Sequence, residues 1–522
     1  TGGDHGPGYS WHHKTIEGFS FTHMSGIGWY GDLGNFLVMP TVGELHTAKG
    51  SEEYPEEGYR SRYSHDSEVT EAGYYAVTLD DYRIRTELTV TPRTGIIRFT
   101  FPEHAQSRIQ IDLARRIGGT STEQRVEKVD DHTIQGWMRC TPDGGGWGDG
   151  YGNANYTVYF YCQFEKPFEK YGVWSVDVPA GLDRKNRLNE DPEWQKQVAA
   201  AKVMPMCSEA EGKHLGFYTE FATQAGEQVL MKCGISFVSI DGARNNLEQE
   251  LPHWNFEKVR KEARKSWNKA LSCIEVKSER DKRIFYTGLY HTMIDPRCYS
   301  DVDGNYVGAD GQIHQAKDFV YRTIFSGWDV FRSQFPLQNL INPQLVTDEI
   351  NSLIQIGDLS GRHYFPRWEF LNAYSGCMVG NPAIAVITDA YVKGIRGFDA
   401  RKAAEYCENS MKKFGNGEQG FVSGNLSETL EYAYFDWCTG KLWESLGDQD
   451  KAQAYYRKGQ AYRNVWNPEV RWFQARQSKD RWLNWQGKTV GGQGCVESNP
   501  FQQGWFVPHD IEGMKALMGE DF

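Results

Sequence analysis

The chain has 522 residues, of which 39% are hydrophobic and 24% charged, and carries a formal net charge of -12. This composition is too apolar for disorder, and its acidic balance excludes a nucleic-acid or anionic-membrane surface as the main partner, because phosphate binding needs clustered Lys and Arg. No apolar run reaches the ~18 residues that a spanning helix requires.

The first glycine cluster, Gly26, Gly28 and Gly31, spells G-x-G-x-x-G, but Asp32, Leu33 and Gly34 follow where an apolar helix should begin, so no dinucleotide site is expected. From about residue 70 to 240 the pattern has period two. Ile84, Thr86, Leu88 and Val90 share one face, as do Tyr156, Val158, Phe160, Cys162 and Phe164, and again Val229, Met231, Cys233, Ile235 and Phe237. Such strands, separated by Gly- and Asp-containing turns, predict an antiparallel β-sandwich. Asn245 to Trp267 reads as a linker that becomes an amphipathic helix. Asp301, Asp303 and Asn305 begin like a calcium-binding loop, but Tyr306 and Gln312 replace its Gly and Glu, so a turn is expected.

Beyond this the chain reads as helical. Asn381 and Pro382 form an N-cap and N1 pair, with Ile384, Ile387 and Tyr391 on one face before Gly394; Leu430, Tyr434 and Trp437 mark another stripe, closed by Gly447. Two polar-aromatic clusters stand out. Trp328, Asp329 and Arg332 place an indole, a carboxylate and a guanidinium within about two helical turns. Glu497 follows Gly491, Gly492 and Gly494 and precedes Asn499, Phe501, Gln502 and Trp505. A carboxyl group among aromatics and amides is where desolvation raises a pKa toward that of a general acid. The aromatic content of 14% suits walls that stack sugar rings, though large aromatic cores give the same count. The ten cysteines show neither a C-x-x-C pair nor zinc spacing.

The ordered words GFSFTHMSGIG (Gly18 to Gly28), SHDSEVTEAGYYAVTL (Ser64 to Leu79), FYTGLYHTMIDPRCYSDVDGNYVG (Phe285 to Gly308), FSGWDVFRSQFPL (Phe325 to Leu337), LEYAYFDW (Leu430 to Trp437) and FVPHDIEGM (Phe506 to Met514), together with the stretch from Gly376 to Ile395, run nearly end to end. Through them the sequence resembles the α-mannosidases of glycoside hydrolase family 92. The resemblance implies an N-terminal β-sandwich over 1–244, linker helices over 245–280 and an (α/α)6 barrel over 281–522. It also implies an exported, exo-acting, inverting, calcium-dependent enzyme that releases terminal α-linked mannose from glycans. Glu497 matches the general acid. Trp328, Asp329 and Arg332 match part of the sugar-binding floor, His23 and Trp29 a sandwich loop reaching the cleft, and Asn499 and Gln502 the pocket lining.

The resemblance also shows departures. The family's Gly-Asn-Glu-Pro motif and Asp-rich segment, which supply the base and metal ligands, do not occur, so a chain truncated at both ends with an incomplete barrel is expected. The family's Glu-Gly-Asn and Trp-Gln-Tyr are here Glu497, Ser498, Asn499 and Phe501, Gln502, Gln503. Two alternatives stay open: a relative acting on another α-linkage or a mannosyl phosphodiester, and a mannose-binding protein without turnover.

Overall fold

The computed structural model describes residues 8–24, 31–145, 154–180 and 191–519. Two compact units divide the chain, one reaching Val307 and taking in Ile313–Lys317, the other built mainly from Asp318 onward.

The first unit holds two antiparallel sheets. One has nine strands, in the order Glu209–Gly212, Glu123–Asp130, Thr133–Cys140, Tyr156–Phe164, Glu227–Ser236, Thr94–Phe101, Ile84–Val90, Tyr74–Leu79 and Val69–Glu71. The other has six, in the order Lys202–Pro205, Lys170–Ser175, Gly216–Thr223, His104–Asp112, Leu37–Val42 and Phe19–Ser20. Their inner faces meet through aromatic pairs, Phe101 with Phe221 at 5.5 Å and Phe164 with Phe217 at 6.2 Å between ring centroids. Tyr156, Val158, Phe160, Cys162 and Phe164 are all buried, as their alternation predicts.

Helices cover the outer face of the nine-stranded sheet. Ala243, Leu247 and Leu251, with Phe256 and Val259, pack on Tyr74, Ala76, Ile96 and Tyr161. Strict alternation therefore fails where this cover lies. Ile84 and Thr86 are buried, but so is Thr89 on the opposite face, while Leu88 is half-buried and Val90 is 48% exposed. Lys232, opposite Met231 and Cys233, is also buried, and its ammonium donates to the Leu251 carbonyl at 3.0 Å. The linker stretch resolves into helices Ile240–Glu250, Phe256–Leu271 and Glu279–His291, the first two capped by Ser239 and Asn255, and all belong to the sandwich unit.

Asp301 to Asn305 forms the expected turn, closed by the Gly304 amide on the Asp301 carbonyl at 2.9 Å. The Asp301 carboxylate faces inward, accepting from Ser236 at 2.7 Å and Asn246 at 2.8 Å, and burial pushes its pKa up to about 6.

The second unit is helical, so the architecture is a β-sandwich followed by a domain of the α/α-barrel type. Its principal helices are Gln334–Ile341, Pro343–Leu359, Pro382–Val392, Ala400–Lys413, Leu426–Ser445, Gln449–Lys458 and Ile511–Met518. Pro382 opens its helix as expected, but Asn381 does not cap it. Its amide donates instead to the Phe414 carbonyl at 2.6 Å, tying two helices together. Ile384 and Ile387 are buried, and so are Ala383, Ala385, Val386 and Ala390, so this helix lies inside the core rather than showing one apolar stripe.

Candidate active site

The site grows from the first two turns of the Leu426–Ser445 helix. Asn425 caps it, accepting from the Glu428 amide at 2.9 Å. The Leu426 amide donates to the Gly494 carbonyl at 2.7 Å. The buried Ser427 hydroxyl accepts from the Val496 amide at 2.9 Å and donates to Gln503 Oε1 at 2.6 Å. The loop carrying Glu497 is thus fastened on both sides of that residue. Gly494 is needed here: its φ is +81°, and a Cβ would lie 2.5 Å from the Gly424 carbonyl oxygen. Glu497 itself has φ +51° without being glycine, a conformation costing on the order of 1–3 kcal/mol that the surrounding contacts must hold. Its side chain is exposed, so the described residues do not supply the desolvation expected of a general acid.

Four residues after Ser427, on the same helix face, stands Glu431. It is 1% exposed, and its Oε1 accepts from the Trp328 indole at 2.8 Å and from Arg332 Nη2 at 2.7 Å. Its other oxygen is buried without a hydrogen-bond partner among the described residues. Burial pushes the Glu431 carboxyl up, against the opposing pull of Arg332. The Arg332 guanidinium also packs over the rings of Phe331, Phe506 and Trp328 at 4.5, 5.0 and 5.3 Å from their centroids.

Asp329 points elsewhere. It is exposed and accepts from the Ser326 hydroxyl at 2.5 Å, which in turn accepts from the Trp368 indole at 2.8 Å. Behind this turn the buried Glu369 accepts from the Thr323 hydroxyl at 2.8 Å, the Ile324 amide at 2.9 Å and the Asn372 amide at 2.7 Å. Burial pushes its pKa up to about 7 despite those donors.

One helix therefore joins the Trp328–Arg332 cluster to the Glu497 loop, a link that sequence reading missed. Glu431 sits within the aromatic run LEYAYFDW, where its place four residues after Ser427 was the available signal. Asn499 and Gln502 serve each other: Asn499 Oδ1 accepts from the Gln502 amide at 2.9 Å and Gln502 Oε1 from the Asn499 amide at 3.2 Å, a reciprocal cap on helix Pro500–Gln503. His23 belongs to the sandwich unit, where its side chain is exposed and its carbonyl accepts from Arg297. Trp29 lies outside the described residues, as do Gly26 and Gly28. Among the described residues no three His, Cys, Asp or Glu side chains gather as a metal-holding group.

Residues 1–236 match the glycosyl hydrolase family 92 N-terminal domain and residues 242–522 the family's catalytic domain. The chain is similar in structure to the family GH92 alpha-mannosidase BT3965 from Bacteroides thetaiotaomicron, with 32% identity and a TM-score of 0.89, covering 99% of this chain and 68% of that one. That relative has also been solved in complex with mannoimidazole. The GH92 inverting mannosidase BT2199 from the same organism is 26% identical with a TM-score of 0.81, over 99% of this chain and 67% of that one. A protein of Arthroderma benhamiae described as an uncharacterized secreted glycosidase is 23% identical over 98% of this chain and 67% of its own length.

Proposed function

This chain belongs to glycosyl hydrolase family 92, and from that premise we propose that it is an exo-acting, inverting α-mannosidase releasing terminal α-linked mannose from glycans. The observation that carries the reading is the seating of Glu497 by Ser427 on the same helix face that holds Trp328 and Arg332 through Glu431. The two bacterial relatives named as mannosidases, one of them inverting, support the substrate and the stereochemistry.

In this reading Glu497 protonates the departing glycosidic oxygen. Exposed in the free protein, it is open to the glycosidic oxygen of a bound sugar. Inversion calls for a second carboxylate roughly 6.5–9.5 Å away, activating water on the opposite ring face. Trp328 offers an indole wall, Arg332 offers a polar partner for hydroxyls, and Glu431 fixes both by accepting from each. Calcium dependence belongs to the same proposal: a hard cation takes oxygen ligands and would polarise the mannose hydroxyls. Export is proposed too, on the description of the fungal relative as secreted; among the described residues no helix is long and apolar enough to cross a membrane.

The test is an NMR time course on a panel of α-linked mannobioses, with calcium or chelator. β-Mannose should appear first, only with calcium, and Glu497→Gln should slow release at least a hundredfold while sparing substrates with good leaving groups. Initial α-mannose would overturn inversion. Silence on every linkage would overturn hydrolysis of mannosides and leave sugar binding or a mannosyl phosphodiester as the activity.

A further inference from the structure

The sandwich unit holds a cavity of its own. Strand His104–Asp112 ends in a turn that leads through Ala114 into the hairpin of Arg115–Arg116 with Gly119–Thr120. Between that turn, the Thr47–Ser51 loop and helix Pro192–Ala199 lies a cavity of about 380 Å³, within the roughly 300–1,000 Å³ of small-molecule sites. Nothing in the proposed hydrolysis uses it, and it shares no lining residue with the Trp328–Glu431 cluster.

Its base is a fixed ion cluster. Glu17, with 2% of its side chain exposed, is paired with Arg60, with Arg115 at 2.6 Å and with Lys49 at 3.3 Å. Burial favours a proton on Glu17, but the joint field of Arg115, Lys49 and Arg60 prevails and holds the carboxyl well below its usual range. Asp112 is fixed in place, accepting from the Tyr59 hydroxyl at 2.7 Å and the Ala114 amide at 2.9 Å, although burial pushes its carboxyl up against those donors. These partners set the wall before any ligand arrives.

The wall also keeps donors in reserve. Lys49 hydrogen-bonds only to Glu17 among the described residues, so two of its three N–H groups stay available on a side chain that is 33% exposed. Trp174 lines the cavity at 2% exposure, and its indole N–H has no partner among the described residues. That indole fits because Gly216 has no side chain, a Cβ there falling 1.9 Å from Trp174 Cζ2. Trp194 adds a half-buried ring, pinned by its N–H on the Pro179 carbonyl at 2.8 Å and edge-on to His214 at 5.3 Å.

Charge decides the class of ligand. The basic groups Lys49, Arg115, Lys196 and, behind them, Arg60 are matched by Glu57, Asp112 and, behind them, Glu17 and Glu52, so neither a simple anion nor a cation gains from entering. A neutral polyol does gain: each hydroxyl both donates and accepts, meeting carboxylates and spare donors alike, while C–H faces lie on an indole. We propose that this cavity is a second sugar site on the sandwich unit, holding one neutral hexose unit independently of the site of hydrolysis.

Ligand-detected NMR titration with methyl α-D-mannopyranoside tests it on the whole chain and three variants. Saturable millimolar binding should persist in Trp328→Ala and weaken at least tenfold in Trp194→Ala and in Lys49→Met. Trp194 lies on a helix with no buried residue, so its variant should remain folded, with at most a small drop in melting temperature, and serves as the check should Lys49→Met unfold. Binding lost in Trp328→Ala but unchanged in Trp194→Ala would overturn the proposal, as would no saturable binding at all. Displacement of the sugar by inorganic phosphate would overturn the neutral class. Because the readout is binding, these outcomes are distinct from failure of the mannosidase reading.

Discussion

Replacing Ser427 by Ala should loosen the Glu497 loop by a predictable amount. The hydroxyl is fully buried and makes two bonds, accepting from the Val496 amide at 2.9 Å and donating to Gln503 Oε1 at 2.6 Å. Removing it leaves Gln503, 8% exposed, with a buried acceptor that has lost its donor, a cost of about 1–3 kcal/mol. The Val496 amide is half-buried and reaches water more easily, adding about 0.5–1 kcal/mol. A total of about 1.5–4 kcal/mol corresponds to a rise of roughly 10- to several-hundred-fold in the population of the opened loop. Hydrogen exchange at Val496 and its neighbours reads that population directly, with denaturant unfolding as the companion measurement. Gln503→Leu removes the other partner, and the double variant should lose less than the two single losses combined, because the bonds share one hydroxyl. Unchanged exchange in Ser427→Ala, or strict additivity in the double variant, would refute the view that Ser427 seats the loop.

Three further outcomes follow from neighbouring residues. Asp436 is 4% exposed and burial pushes its pKa up to about 7, so the folded chain keeps a proton that the unfolded chain has lost; stability should fall by a few kcal/mol as pH rises from about 4 to 7. In Asp436→Asn that stretch of the stability-versus-pH curve should flatten, which thermal melts across the range will show. Arg332→Met keeps an apolar stem near Phe331 and Phe506 but strips the cation from Glu431, and should cost about 3–5 kcal/mol, the loss shrinking as pH falls because burial favours the protonated carboxyl, which denaturant unfolding at several pH values will show. Gly494→Ala demands a positive φ and meets the Gly424 carbonyl oxygen at 2.5 Å, so it should lower the melting temperature and expose the Glu497 loop to proteolysis, which limited digestion detects.

The sandwich was legible where alternation survives along most of a strand. Tyr156, Val158, Phe160, Cys162 and Phe164 alternate inward and read as a strand, with Tyr161 alone buried on the other face, beneath the helices. Thr89 and Lys232 could not be read, since the helices that bury them come much later in the chain and period two reports one covered face, not two. In the site, Trp328 and Arg332 were visible as a local cluster, but the partner that orders them, Glu431, is about a hundred residues away, as the intervals of 103 and 99 residues in its two bonds show. Asn499 and Gln502 carry the spacing of a reciprocal helix cap, and in this structure their side chains are engaged in that cap.

The spacing of Ser427 and Glu431 has a consequence for exchanging parts between relatives. Each residue of an α-helix advances about 1.5 Å and turns about 100°. Adding or deleting one residue between these two would swing Trp328 and Arg332 out of phase with Val496 and Gln503, although every side chain involved would still be present. Chimaeras are therefore best joined outside residues 427–431. Within that interval helical phase matters more than side-chain identity, and an insertion there should do more harm than several substitutions.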